Sequence, residues 1–295
     1  MQYTWNKNPI QINFFNNYNM PEGPEVKIIT DELAKRLVGK YLTNISILAG
    51  RYKTHGPPKN YEKMIQLLPL KILSINAYGK FIWWEFADTD LTLWNTLGMT
   101  GWWQLKKEPH NNIEFFYKRT LTSGKLSSVY FNDQRNFGTF IFDTKKNLEK
   151  KLGEFGPDIL SLDKKTSNRF YNLVKDKSKA ICEILLEQKI TAGCGNYLRA
   201  DALYLAEINP FTLAKDLSEK KIKELWNILN QLAWFYYNKT QGIKNKIIDG
   251  KYKFADSFDR VFLIYSQTTD PLGNKVKKEQ VKDRTIHWVQ TLQTI

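Results

Sequence analysis

A proline with a free nitrogen is a secondary amine, and α-amino groups titrate near ~8, so a useful fraction is neutral at ordinary pH. Such an amine condenses with a sugar aldehyde to an iminium, an electron sink that acidifies the neighbouring carbon and lets phosphate leave by elimination. The segment Met20-Pro21-Glu22-Gly23-Pro24-Glu25 holds both parts of that chemistry. Pro21 would be the nucleophile, and Glu22, one residue on, a carboxylic acid placed to carry protons. Inside a chain the same proline is a tertiary amide with no lone pair to offer. The chemistry therefore carries a condition. Residues 1–19, Asn-rich and without sustained periodicity, must be absent from the working protein, as a removable tail or a misplaced start. The plain alternative is that Pro and Glu suit the first turn of any helix, and on the hexapeptide alone that alternative prevails.

The elements that must position these groups have two textures. Residues 20–39 read as a helix, with Pro24 near its start, Glu22 and Glu25 in its first turn and Gly39 at its end. Val26, Ile29, Leu33 and Leu37 recur at helical spacing, so one face should be buried. From Tyr41 to Phe142 the pattern changes to short β-branched and aromatic runs at 45–48, 71–77, 81–86, 91–97, 113–117 and 129–132. Turn signals such as Tyr78-Gly79 and Ser123-Gly124 separate them, which predicts an antiparallel sandwich or barrel. After Asp143 the helical period returns, with short helices at 178–188 and 197–207 and a longer one at 218–237. Residues 260–265 and 285–292 read as two closing strands around a polar turn. The fold class is α+β, divided as a β-sandwich domain over 20–148, a helical domain over 149–250 and a β-hairpin over 251–295.

Composition bounds the function classes. The 295 residues carry 44 Lys and Arg against 30 Asp and Glu, a formal net charge of +14. That excess favours a polyanionic partner through counterion release, although an AT-rich genome would also enrich Lys, Asn and Ile. No apolar run reaches the ~18 residues of a membrane span, and residues 1–19 lack the apolar core of a signal peptide. Cys182 and Cys194 are the only cysteines, which excludes a disulfide framework and a four-thiolate zinc site. The expectation is an intracellular protein, in nucleus, cytoplasm or viral factory, that acts as a monomer and needs no cofactor or membrane.

Met20-Pro21-Glu22-Gly23-Pro24-Glu25-Val26, followed by an amphipathic helix, resembles the N-terminus of the formamidopyrimidine-DNA glycosylase and endonuclease VIII family. Further motifs follow in family order. Ala77-Tyr78-Gly79-Lys80-Phe81 resembles the hairpin that carries the family's β-turn lysine. Leu97-Gly98-Met99-Thr100-Gly101 resembles the loop whose Met fills the gap left by an extruded base. Asp133-Gln134-Arg135-Asn136-Phe137-Gly138 is similar to the loop whose Arg and Phe complete that wedge. Gly156-Pro157-Asp158 matches the entry to the helical domain, and residues 188–210, around Gly195-Asn196-Tyr197, resemble the helix–two-turn–helix motif.

The resemblance implies a glycosylase and abasic-site lyase acting on damaged double-stranded DNA. Its catalytic residues would be Pro21, Glu22, Lys80 and Arg284, with Lys80 and Arg284 holding phosphates and assisting the eliminations. Its DNA-binding residues would be Met99, His110, Arg135, Phe137, Lys177 and Asn196. Asn196 could also serve simply as a helix N-cap. The Gly23 form of the first motif leans towards oxidised pyrimidines, whereas the full Met99, Arg135 and Phe137 set leans towards formamidopyrimidines and oxidised purines.

The C-terminus departs from the bacterial family pattern, a four-cysteine zinc hairpin. Arg284-Thr285-Ile286-His287-Trp288-Val289-Gln290-Thr291-Leu292-Gln293 keeps the Arg and the final Gln, but Val289 and Leu292 stand where two thiolates belong. Zinc is excluded on ligand count, and the pattern resembles the zincless finger of certain eukaryotic and large-DNA-virus relatives, held by apolar packing. Two other readings stay open: a damage-recognising DNA-binding protein without catalysis, and an RNA- or ribosome-associated protein.

Overall fold

The computed structural model describes residues 21–122, 124–240 and 262–294; the expected extension over 1–19 lies outside them, as do residues 241–261. Helix α1 (Gly23–Leu37) forms where the sequence places it, with Pro24 in its first turn, Glu25 near its N-terminus and Lys35 and Arg36 in its last turn, each charge matching the helix dipole. Val26, Ile29, Leu33 and Leu37 are buried against the sheet, as their spacing requires.

The sheet comprises β1 (Tyr41–Ile47), β2 (Leu70–Tyr78), β3 (Phe81–Phe86), β4 (Leu91–Thr96), β5 (Trp102–Gln104), β6 (Asn111–Lys118), β7 (Ser127–Asn132) and β8 (Thr139–Thr144). Their order is β5-β7-β6-β1-β2-β3-β4-β8, and every pairing is antiparallel. Between β1 and β2 the register holds only Tyr41↔Lys71 and Leu42↔Leu70, and there the sheet folds into two layers. Aromatic rings from both layers meet between them, Trp84 with Phe115 at 5.6 Å and Phe131 with Phe140 at 4.8 Å. Each such buried ring contributes about 1.5–3 kcal/mol. Short helices α2 (Arg51–Thr54) and α3 (Tyr61–Leu67) lie between β1 and β2.

After α4 (Lys145–Gly153) the chain is helical: α5 (Thr166–Val174), α6 (Ile181–Ile184), α7 (Asn196–Leu205) and α8 (Glu219–Thr240). They share a second core with Phe262–Ile264 and the closing hairpin. The two halves are latched by Tyr237 on α8, whose hydroxyl donates to Asp31 on α1 at 2.7 Å.

Two sequence expectations are corrected. The helix expected at 178–188 is reduced to one turn, Ile181–Ile184. Ala180 is held extended by a bridge to Leu213, and the N–H groups of Ile181 and Cys182 donate to the carbonyls of Thr212 and Pro210 rather than up a helix. The strand expected at 260–265 is not formed by its described residues. The N–H groups of Leu263, Ile264 and Tyr265 all converge on the Asp201 carboxylate, a fan that no ladder permits. The hairpin is instead β9 (Lys277–Val281) with β10 (Arg284–Trp288), paired antiparallel across Lys282-Asp283. Strand β9 is Lys-Lys-Glu-Gln-Val and largely exposed, so no apolar alternation marks it.

Candidate active site

Glu22 is 1% exposed, and what surrounds it explains why a carboxyl group is tolerated there. Helix α7 opens on Gly195, which has no side chain to cap it. Glu22 supplies the cap from the other half of the molecule: its Oε1 accepts the Tyr197 N–H at 2.9 Å and its Oε2 the Leu198 N–H at 3.4 Å. Burial nevertheless dominates and raises the Glu22 pKa from 4.5 to about 7. Lys80 pulls it down, Glu25 pushes it up, and the two helix amides lower it again. Near neutrality the group is therefore divided between acid and base, the condition under which one carboxyl can both give and take a proton.

Glu25 braces this arrangement. Its Oε2 accepts the Glu22 N–H at 2.9 Å, and the Tyr197 hydroxyl donates to it at 2.9 Å, joining α1 to α7. Burial raises its pKa as well. Pro21, half-buried, precedes this pair directly.

Lys80 stands at the turn between β2 and β3, which the helical half clamps. The Asp158 Oδ2 accepts the Gly79 N–H at 2.8 Å, and the Tyr78 hydroxyl donates to the Gly156 carbonyl at 3.0 Å. Lys80 and Glu22 approach across the α-carbon of Gly195. An added Cβ there would lie 2.4 Å from Glu22 Oε1 and 2.6 Å from Lys80 Nζ, so only glycine leaves room for both.

A second group lies on the sheet half. Met99 is half-buried, while Arg135 and Phe137 are exposed, Phe137 by 51%. The Arg135 guanidinium sits 5.2 Å over the Phe137 ring, so the two project as one stacked unit. His110 is exposed beside them, its carbonyl accepting the Asp133 N–H at 3.1 Å.

Arg284 begins β10 and is half-buried. Arg199, buried on α7, ties that strand to the site, donating from Nη2 to the Thr285 carbonyl at 3.2 Å and from Nη1 to the Cys182 carbonyl at 2.9 Å. Val289 is fully buried and Leu292 packs on the helical core. Gln293 accepts the Val289 N–H at 2.6 Å and donates to the Ile208 carbonyl at 2.9 Å. Hydrocarbon side chains occupy both positions where thiolates would bind zinc, and among the described residues no cluster of His, Cys, Asp or Glu could hold a metal. The described residues of the finger supply no thiolate for a zinc ion.

Asn196 is not the N-cap. It is the first helical residue of α7, buried, while Gly195 takes the cap position and Glu22 the capping bonds. Lys177 is exposed in the turn before α6, its backbone tied to Val174 and Lys215. Sequence reasoning passed over Tyr197, Arg199 and Asp133. The first two lie inside a motif whose glycines and Asn drew attention instead, and the third was legible only as a loop boundary.

The chain matches the model of the formamidopyrimidine-DNA glycosylase N-terminal domain over residues 20–140 and that of the formamidopyrimidine-DNA glycosylase H2TH domain over 155–233. It is 30% identical over 292 residues to a formamidopyrimidine-DNA glycosylase of Corynebacterium glutamicum, covering 93% of this chain and 99% of that one. The corresponding protein of Ureaplasma parvum is 28% identical, with 93% and 100% covered. Among solved structures, the Lactococcus lactis enzyme bound to DNA containing an AP site superposes with a TM-score of 0.75 at 22% identity, covering 93% of this chain and all of that one. The Thermus thermophilus protein gives 0.74 at 23% identity, with 92% and 98% covered. These two likenesses establish the α+β fold.

Proposed function

The chain belongs to the formamidopyrimidine-DNA glycosylase family, and from that premise we propose that it is a DNA glycosylase of base excision repair that also cleaves the strand at the abasic site. The observation that carries the reading is the Glu22 carboxyl, buried beside Pro21, seated on the start of α7 and facing Lys80, with a pKa near 7. An amine nucleophile with a proton donor of that pKa beside it is what displacement of a damaged base requires.

In the proposed reaction the Pro21 nitrogen forms a bond to C1′ of a nucleotide flipped from damaged double-stranded DNA. The bond from C1′ to the base breaks, and the base leaves with a proton from Glu22. Opening of the sugar ring gives an iminium, which acidifies C2′. The Glu22 carboxylate, left by the first transfer, takes a C2′ proton as the 3′ phosphate is expelled, and a second elimination expels the 5′ phosphate, leaving a gap flanked by phosphates. Lys80 and Arg284 hold the phosphates and assist these departures. Met99, Arg135 and Phe137 fill the space of the extruded base, while His110, Lys177 and Asn196 contact the backbone. Substrates are oxidised pyrimidines and formamidopyrimidines, in keeping with the relatives' name.

The reading requires Pro21 to be the N-terminus, and the family match beginning at residue 20 supports it. The test is borohydride trapping on DNA containing an abasic site, with one chain starting at Met1 and another at Met20. Borohydride reduces the iminium to a stable amine and so fixes protein to DNA. Only the shorter chain should be trapped, after loss of its initiator Met. Equal trapping by both, with the extension shown intact, refutes Pro21 as nucleophile. Binding without trapping by either favours recognition without catalysis.

A further inference from the structure

One buried carboxylate joins the two loops at 97–101 and 133–138. Asp133 is 2% exposed; its Oδ1 accepts the Thr100 hydroxyl at 2.5 Å and its Oδ2 the Gly138 N–H at 2.6 Å. The Thr100 oxygen, having donated its proton to Asp133, accepts the Arg135 N–H at 3.0 Å. Behind them Asn112 accepts the Asp133 N–H on Oδ1 at 2.7 Å and donates from Nδ2 to Asn136 Oδ1 at 2.6 Å. Every residue of this circuit is a sequence neighbour of a projecting side chain or fixes one that is. Thr100 follows Met99, Arg135 is itself held through its N–H, and Phe137 lies between Asn136 and Gly138. The loops also touch directly: Gly98 has φ +65, and a Cβ on it would fall 2.6 Å from the Phe137 carbonyl carbon.

We propose that Asp133, Thr100 and Asn112 are positioning residues that lock the two loops into one body, so that Met99, Arg135 and Phe137 enter the duplex together. The inference rests on the glycosylase reading and adds to it. Extruding a stacked base costs a few kcal/mol, and the cost is offset only if the gap is filled and the partner base held at the same time. Two independently mobile loops would have to be ordered during that event, at a cost in entropy for each. Coupled through a buried circuit, they are ordered by folding instead. The circuit therefore matters where a base must be unstacked and is dispensable where none is present.

Thr100→Val keeps the side-chain shape and removes the hydroxyl that bridges Asp133 to Arg135, whereas Thr100→Ser keeps the hydroxyl. Single-turnover excision from a lesion in duplex DNA should slow by about tenfold or more in Thr100→Val, the loss that one broken hydrogen-bonded link produces. The slowing should fall on the extrusion step, read by fluorescence of 2-aminopurine next to the lesion. Borohydride trapping on an abasic site in single-stranded DNA should stay within about twofold of wild type, and Thr100→Ser should restore duplex excision. Excision from duplex DNA at the wild-type rate by Thr100→Val, or equal slowing on both substrates, overturns the inference while leaving the glycosylase reading intact. A wild-type chain with a free Pro21 that traps no abasic DNA overturns both.

Discussion

Replacing Glu22 by Gln tests whether the carboxyl is held as a poised acid by burial. The structure places Glu22 out of solvent and raises its pKa from 4.5 to about 7. Because the folded value lies above the unfolded one, the native state holds the proton more tightly than the unfolded chain. The associated stability is therefore complete below about pH 4.5 and is lost as pH rises through about 7. Each pKa unit corresponds to about 1.4 kcal/mol, so the loss approaches about 3 kcal/mol by pH 8. Gln has the size of the neutral acid and keeps an oxygen to accept the Tyr197 N–H, but it cannot ionise. Urea unfolding of both proteins at pH 5 and pH 8 should show little difference at the lower pH, and Glu22→Gln more stable by about 2–3 kcal/mol at the higher. Base excision by the wild type should decline above pH ~7, where the donor has lost its proton, and the substituted protein should lose both the activity and that limb of the profile. A stability difference that is the same at both pH values, or a variant less stable at pH 8, would refute the argument that burial governs this group.

Asp201→Ala removes the carboxylate that accepts the N–H groups of Leu263, Ile264 and Tyr265 and the Tyr236 hydroxyl. The expected loss is about 3 kcal/mol or more in urea unfolding, and a loss below about 1 kcal/mol would show that the fan of bonds is not what seats this segment. The finger, packed through Val289 and Leu292, should be indifferent to chelators. Treatment with 1,10-phenanthroline should change neither the melting temperature nor abasic-site trapping, and metal analysis should find far less than one zinc per chain; a stoichiometric zinc would overturn this account of the finger.

Local periodicity and motif chemistry were legible in the sequence for particular reasons. Val26, Ile29, Leu33 and Leu37 could only be one face of a helix, and β3 was delimited at Phe81–Phe86 because its aromatic run is bounded by turn signals. The substitution of Val289 and Leu292 for thiolates likewise needed no coordinates, since ligand chemistry is a property of residue type. Where polar groups outside an element settle its geometry, periodicity is silent. Asp201 draws three successive amides to one point and abolishes a strand that Phe262–Tyr265 would otherwise suggest. Strand β9 forms from a mostly polar run because β10 offers it a ladder.

The same division holds at the site. The sequence determined that Pro21 and the carboxylic acid Glu22 stand side by side, and which motifs accompany them. Only the tertiary structure decided that Glu22 caps a helix by accepting an amide 175 residues away, that Gly195 lets Lys80 approach it, and that Asp133 joins two loops into one. Residue type fixes what a group can do, but its pKa and its partners follow from burial and from distant amides, and those exist only once the chain has folded.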